Sequence, residues 1–170
     1  MASLVLTAVG DDRPGLVSAL AQAVAEHGGS WHTSEMARLG GKFAGVVLVE
    51  VDDDRTADLA EALRGFGHQG LLEVSLTRTN PQPEPERTVL ELHLLGNDRP
   101  GIVHQISSVL AAQGVSIEQL ETGTREAPMA GGTLFEARAR LVAPADVDRG
   151  LLANALESIA NELMVDLDLS

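Results

Sequence analysis

The chain has 170 residues, a formal net charge of −13, 44% hydrophobic residues and no cysteine. That balance describes a globular protein and excludes disulfides, thiolate chemistry and cysteine-bound zinc. The negative charge, with one Trp, three Phe and no Tyr, argues against a phosphate-binding or base-stacking surface, so any influence on transcription is expected to pass through another protein.

In chain order, residues 4–9 read as a strand. They are too short, and lack the basic flank, for a secretory leader. No apolar run reaches the roughly 20 residues of a membrane span, so a cytoplasmic location and no membrane contact are expected. Leu16, Val17, Leu20 and Val24 form a helical stripe that Gly28 ends as a left-handed cap. Residues 31–39 and 43–51 read as strands joined by Gly40-Gly41. Asp52-Asp53-Asp54 leads into a helix carrying Leu59, Leu63 and Phe66, and residues 71–78 alternate as a strand with Leu72, Val74 and Leu76 on one side. Three prolines make residues 79–87 an extended, semi-rigid linker. The order then repeats: a strand at 89–95; a helix with Ile102, Val103, Ile106, Val109 and Leu110, stopped by Gly114; strands near 117–124 and 133–142; a helix with Val147, Leu151, Leu152, Leu156, Ile159 and Leu163; and a strand at 165–169.

The second half restates the first. Gly10-Asp11-Asp12-Arg13-Pro14-Gly15-Leu16-Val17 returns 86 positions later as Gly96-Asn97-Asp98-Arg99-Pro100-Gly101-Ile102-Val103. Leu4 and Leu6 answer to Leu90 and Leu92, Gly28 and Ser30 to Gly114 and Ser116, and Glu35 to Glu121. Ala44-Gly45 matches Ala130-Gly131, and Leu48 and Glu50 match Leu134 and Glu136. Leu63 pairs with Leu156, an offset of 93, which puts about seven extra residues between the third strand and second helix of the second copy. A repeat this long is a duplicated domain. Each copy is βαββαβ, which predicts an α+β fold: two ferredoxin-like domains, antiparallel sheets with helices on one face, at 1–78 and 88–170 with the linker at 79–87. The third strand of the first copy has Ala44, Val46 and Leu48 on its second face. That face is more apolar than water favours, so cover by the sister domain or another subunit is expected, with a homodimer as the assembly.

The repeated turn has a chemistry of its own. Asp12 is placed to cap the helix, Pro14 suits its first turn, Gly10 lets the chain leave the strand sharply, and Gly15 leaves the backbone open to close approach. Free N–H groups at a helix start suit a carboxylate, and Asp11 or Asn97 could accept from an ammonium. The same string is also a good helix start and nothing more, and duplication copies caps as faithfully as pockets. Arg13 and Arg99 either clamp a carboxylate or project into solvent. The five histidines stand at no metal-ligand spacing, no nucleophile has a partner base, and the acidic triplet lacks a calcium loop. No metal, cofactor or catalytic activity is expected.

A strand, then Asp-Arg-Pro-Gly-[Leu/Ile]-Val opening a helix, then Gly-x-Ser before the second strand, resembles the ACT domain, a ferredoxin-like module that binds amino acids and regulates enzymes or transcription. Two such domains, a proline-containing linker and no DNA-binding domain are similar to the glycine cleavage system transcriptional repressor family. The resemblance implies a regulator that binds a small-molecule amino acid, glycine among the candidates, and acts on a regulatory or enzyme partner without touching nucleic acid. In ACT domains the ligand sits between two domains, held by the first loop and helix start of one and the second strand of another. Carried onto this chain, the loop residues are Asp11, Asp12, Arg13, Pro14, Gly15 and Leu16, with Asn97, Asp98, Arg99, Pro100, Gly101 and Ile102. The second-strand residues are Ser30, Glu35, Ser116 and Gln119. Ser30 and Ser116 depart from the asparagine of many ACT domains and reach less far. The alternatives are a detached regulatory subunit of an amino acid biosynthetic enzyme and an interaction scaffold that has lost its ligand.

Overall fold

The computed structural model describes residues 1–129 and 131–170; the match of Ala44 to Ala130 lies outside them. The chain divides into two compact units, Met1–Pro83 and Glu84–Ser170. In the first, β1 (Ala2–Asp11), α1 (Leu16–Glu26), β2 (Ser30–Leu39) and β3 (Lys42–Val51) are followed by a 3₁₀ turn at Asp53–Arg55, then α2 (Thr56–His68) and β4 (Glu73–Thr79). The second runs β5 (Arg87–Asn97), α3 (Ile102–Ala112), β6 (Ser116–Glu126), β7 (Thr133–Pro144), α4 (Arg149–Leu163) and β8 (Val165–Leu169). The sheets are antiparallel, ordered β2-β3-β1-β4 and β6-β7-β5-β8. Each unit is thus the βαββαβ sandwich that the alternation of strand and helix periods dictates.

Strand alternation puts every second residue against the helices. Leu4 and Leu6 lie opposite Val49 and Val47, and all four are buried with Leu20 and Val24 of α1 and Leu59 and Leu63 of α2. In the second unit Leu90, Leu92 and Leu94 pack with Ile106, Leu110, Leu152 and Leu156. Each such side chain contributes about 1.5–3 kcal/mol on burial. The two cores share no residue.

Helices α1 and α3 end alike. The N–H groups of Gly28 and Gly29 donate to Ala25 and Val24, and those of Gly114 and Val115 to Ala111 and Leu110. With φ of +70° and +71° at Gly28 and Gly114, these are paired Schellman stops, the conformation only glycine takes freely.

The pairing corrects two sequence expectations. Of the extra residues of the second unit, six lie in the β6–β7 hairpin, where the offset rises from 86 to 92, and only one lies between the third strand and second helix. Gly10 faces Phe43 and Gly96 faces Phe135, and Trp31 faces Val49 as Ile117 faces Leu141. The offset therefore changes between the second and third strands, and the matches of Gly45 to Gly131, Leu48 to Leu134 and Glu50 to Glu136 are coincidences of composition. Gly10, secondly, does not turn the chain. It lies inside β1, where a Cβ would stand 2.6 Å from the Leu71 carbonyl oxygen. Gly96 is likewise inside β5, pressed against Val165, whose Cα would be 3.0 Å from a Cβ. Gly10 is glycine because the chain leading into β4 passes there, and Gly96 because Val165, the first residue of β8, is its neighbour in the sheet.

No helix among the described residues is long and apolar enough to cross a membrane. On the outer face of the first sheet Val46 is half exposed and Leu48 partly buried. The outer face of the second sheet is more polar: Glu136 meets the His93 ring at 2.8 Å and pairs with Arg138 at 3.2 Å, and Arg140 pairs with Glu118 at 2.7 Å.

Candidate functional site

The loop between β1 and α1 opens the site. Gly15, not Asp12, is the residue at the helix N-cap, with φ of +91° and no side-chain hydrogen bond to the helix. Pro14 stands before the helix, not in its first turn. The first helical bond runs from the Ala19 N–H to the Gly15 carbonyl at 2.9 Å. The N–H groups of Leu16, Val17 and Ser18 therefore have no acceptor within the helix. A Cβ on Gly15 would meet nothing within 4 Å, so its glycine is required by the backbone angle, and the space beside it is open.

That space is a cleft of about 710 Å³. The loop and helix start supply Asp12, Arg13, Pro14, Gly15, Leu16, Val17 and Ser18; the end of β2 supplies Met36, Ala37 and Arg38, and β3 supplies Phe43. Asp12 is held by its own N–H, which donates to the Gly41 carbonyl at 3.0 Å in the β2–β3 turn. The Arg38 guanidinium donates to the Asp12 carboxylate at 3.0 Å, with the arginine side chain 74% exposed and the aspartate 27%. A cation and an anion thus share the rim of an otherwise largely apolar cleft.

The remaining loop residues have other tasks. Asp11 does not line the cleft. It pairs across the sheet with Lys42, whose ammonium donates to its carboxylate. That hydrogen bond, then the lysine charge, holds the Asp11 carboxyl below its ordinary range. In the second unit Asn97 faces Leu134, so the loss of the aspartate coincides with the loss of its cation. The charge difference between the two loops therefore falls on the sheet, not where an ammonium was expected. Arg13 is exposed and lines the cleft, and its guanidinium donates to the Gly70 carbonyl at 2.5 Å, just beyond α2. Arg99 donates to the Leu163 carbonyl at 3.4 Å, at the end of α4. Both tie the loop to the negative end of the second helix, where a cation is favoured.

The second unit has the same frame. Gly101 is the N-cap of α3 at φ +92°, and the Asp98 N–H donates to the Thr133 carbonyl at 2.8 Å. Thr124 lies opposite Phe135 as Arg38 lies opposite Phe43, so threonine replaces the guanidinium. Asp98 has no ion-pair partner among the described residues. In this unit α3, β6 and β7 line a small apolar cavity with Val103, Ile106, Ile117, Leu120 and Phe135 among its walls.

The expected second-strand residues do not meet their own unit's loop. Ser30 opens β2 and pairs with Glu50, while Arg38 near the other end lines the cleft. Eight residues of strand separate them, roughly 25 Å. Ser116 opens β6 in the same way. Glu35 and Gln119 pair with Val46 and Arg140, on the sheet face away from the helices. Ser30 and Ser116 could therefore reach only a loop other than their own.

Val17 and Ser18 of α1, Met36, Ala37 and Arg38 of β2 and Phe43 of β3 are the lining residues that sequence reasoning missed. Strict alternation from the core residue Trp31 sends Arg38 to the outer face. A bulge between Trp31 and Ser34 reverses the parity, and the Trp31 indole donates to the Ser34 hydroxyl across it at 3.2 Å. Nothing in the residue types announces that extra residue.

Three comparisons with known proteins bear on this geometry. Residues 2–77 and residues 88–160 each match the ACT domain. The chain belongs to the ACT domain family. It is 24% identical over 161 residues to the glycine cleavage system transcriptional repressor of Escherichia coli (strain K12), covering 94% of this chain and 85% of that one. Among solved structures, an unknown protein from Galdieria sulphuraria is 34% identical with a TM-score of 0.83, covering 99% of this chain and 97% of its own. A structure assigned to a glycine cleavage system transcriptional repressor superposes with a TM-score of 0.72 at 20% identity, covering 99% and 96%, and shares the fold. This tandem ACT protein is therefore related to a transcriptional repressor over nearly its whole length.

Proposed function

We propose that this tandem ACT protein is an amino acid-responsive regulator that works through a protein partner rather than by a reaction of its own. One observation carries the reading. The repeated loop presents unpaired helix N–H groups to an open cleft that also holds a carboxylate and a guanidinium. Such a site suits a small zwitterion, because helix N–H groups and Arg38 attract its carboxylate while Asp12 attracts its ammonium. The repressor relative supports transcriptional control, of glycine cleavage or of related amino acid metabolism, over service as a detached enzyme subunit. The acidic chain makes a protein, not nucleic acid, the natural partner. The proposed setting is the cytoplasm, and the proposed assembly is a homodimer that covers Val46 and brings a second strand's Ser30 or Ser116 to a loop.

Binding regulates only if the ligand contacts two arrangements of the protein differently. Isothermal calorimetry of the full chain against each common free amino acid, glycine included, tests the sensor reading. Heat is expected with at least one; folded protein that gives none with any rules the sensor out.

A further inference from the structure

The Asp12–Arg38 pair has no clear structural purpose. It is exposed on the arginine side, and an ion pair of that kind contributes about 0–1 kcal/mol to a fold. Asp12 is fixed by its backbone bond to the β2–β3 turn, whereas Arg38 is a long side chain on an edge strand with most of its surface in water. The aspartate is therefore a fixed anion and the arginine a movable cation. Behind them the cleft is walled by Leu16, Val17, Met36 and Phe43. The second unit keeps the aspartate and the glycine but has Thr124 in place of the cation.

We propose that an α-amino acid with an apolar side chain inserts into this ion pair, its ammonium on Asp12 and its carboxylate on Arg38, and that the first unit alone takes it. Pair and ligand are each neutral overall, so insertion exchanges one charge-assisted contact for two without leaving a charge uncompensated. The apolar side chain then covers Met36 and Phe43. In the second unit Asp98 offers an ammonium half a site, and Thr124 brings only a neutral hydroxyl, not a cation, to the carboxylate. Arg38 is thus the residue that sets specificity between the two units. The inference rests on the cleft being an amino acid site.

The test is calorimetry on the full chain with the same free amino acids, followed by the tightest binder's amide, which lacks the carboxylate, and its α-keto acid, which lacks the ammonium. One ligand per chain is expected, with an apolar amino acid ahead of glycine. Arg38→Gln should weaken binding at least about tenfold, the scale of one charged hydrogen bond, with Arg38→Lys intermediate. The amide should bind wild type and Arg38→Gln equally weakly, and the keto acid should be indifferent to Asp12→Asn. Asp98→Asn should leave binding unchanged. Arg38 is exposed, so its variants are expected to melt with wild type; should Asp12→Asn fail to fold, Arg38→Gln with the amide decides. Wild-type heat that Arg38→Gln leaves intact, or two ligands per chain, overturns this inference while leaving the sensor reading standing. No heat with any amino acid removes both.

Discussion

Gly10, inside β1, and Gly15, in the loop after it, are glycine for different reasons, which a denaturation experiment separates. At Gly15 the left-handed backbone alone opposes a side chain, since a Cβ there enters open space. Gly15→Ala should cost about 1–2 kcal/mol in urea unfolding. At Gly10 the obstacle is the Leu71 backbone, which cannot rotate away. Gly10→Ala should cost more than Gly15→Ala, about 2–3 kcal/mol, with Gly96→Ala similar. A reversed order would show that the crossing chain yields easily. Glu136 offers a pH test. The hydrogen bond from His93, aided by Arg138, holds its carboxyl below the usual glutamate range. The unfolded chain therefore takes up this proton at a higher pH than the folded one. The stabilisation is complete above the ordinary glutamate range and is lost as pH falls through the lowered folded value. Glu136→Gln should flatten that part of the acid-unfolding curve, and an unchanged curve would remove the assignment. At this scale the sequence was legible where one residue type has one use: the left-handed Gly28 and Gly114 were readable as helix stops. It misled where a residue's partner lies far along the chain. Asp12 looked like a cap because nothing local revealed Arg38, and Gly10 looked like a turn because Leu71 was out of view.

Among the helices, α4 is capped by a side chain and those at the repeated loop are not. The Asp148 carboxylate accepts from the Leu151 N–H at 3.0 Å, while α1 and α3 begin on bare glycine. Asp148→Ala should therefore cost about 1 kcal/mol, read as a shift in the urea midpoint of the second unit. Uncapped starts at both copies of one motif fit a surface kept free for a ligand. The elements themselves could be traced from hydrophobic period: Leu16, Leu20 and Val24 of α1 and Ile102, Ile106 and Leu110 of α3 are buried as expected, whereas Val17 and Val103, read into the same stripes, are exposed. The alignment of the elements across the repeat failed at the β6–β7 hairpin, because an insertion at a strand tip leaves the alternation on either side undisturbed. Leu134 and Glu136 matched Leu48 and Glu50 by letter and not by place; the pairings of Gly96 with Phe135 and of Ile117 with Leu141 expose the slip.

For the molecule as a whole, two cores without a common residue predict separable stability. Leu20→Ala, at a fully buried position of the first core, should cost about 2–5 kcal/mol. Hydrogen exchange should report the loss in amides of residues 1–83 and leave those of 84–170 near their wild-type rates; equal loss in both would mean a single cooperative fold. The tandem ferredoxin-like plan was the most legible feature of the chain, since strand and helix periods repeat in order and glycines punctuate both copies alike. The cleft was legible only by half: its loop shows in the motif, its opposite wall only through the bulge in β2. The two units also differ at the ends of their central strands. Where the first unit sets Asp11 against Lys42, the second sets Asn97 against Leu134. The halves are therefore not spare parts for one another. A hybrid that spliced the first strand of one copy into the body of the other would place a lone lysine or a lone aspartate opposite a neutral neighbour, so recombination between the duplicated halves would mark its products with a mismatched pair.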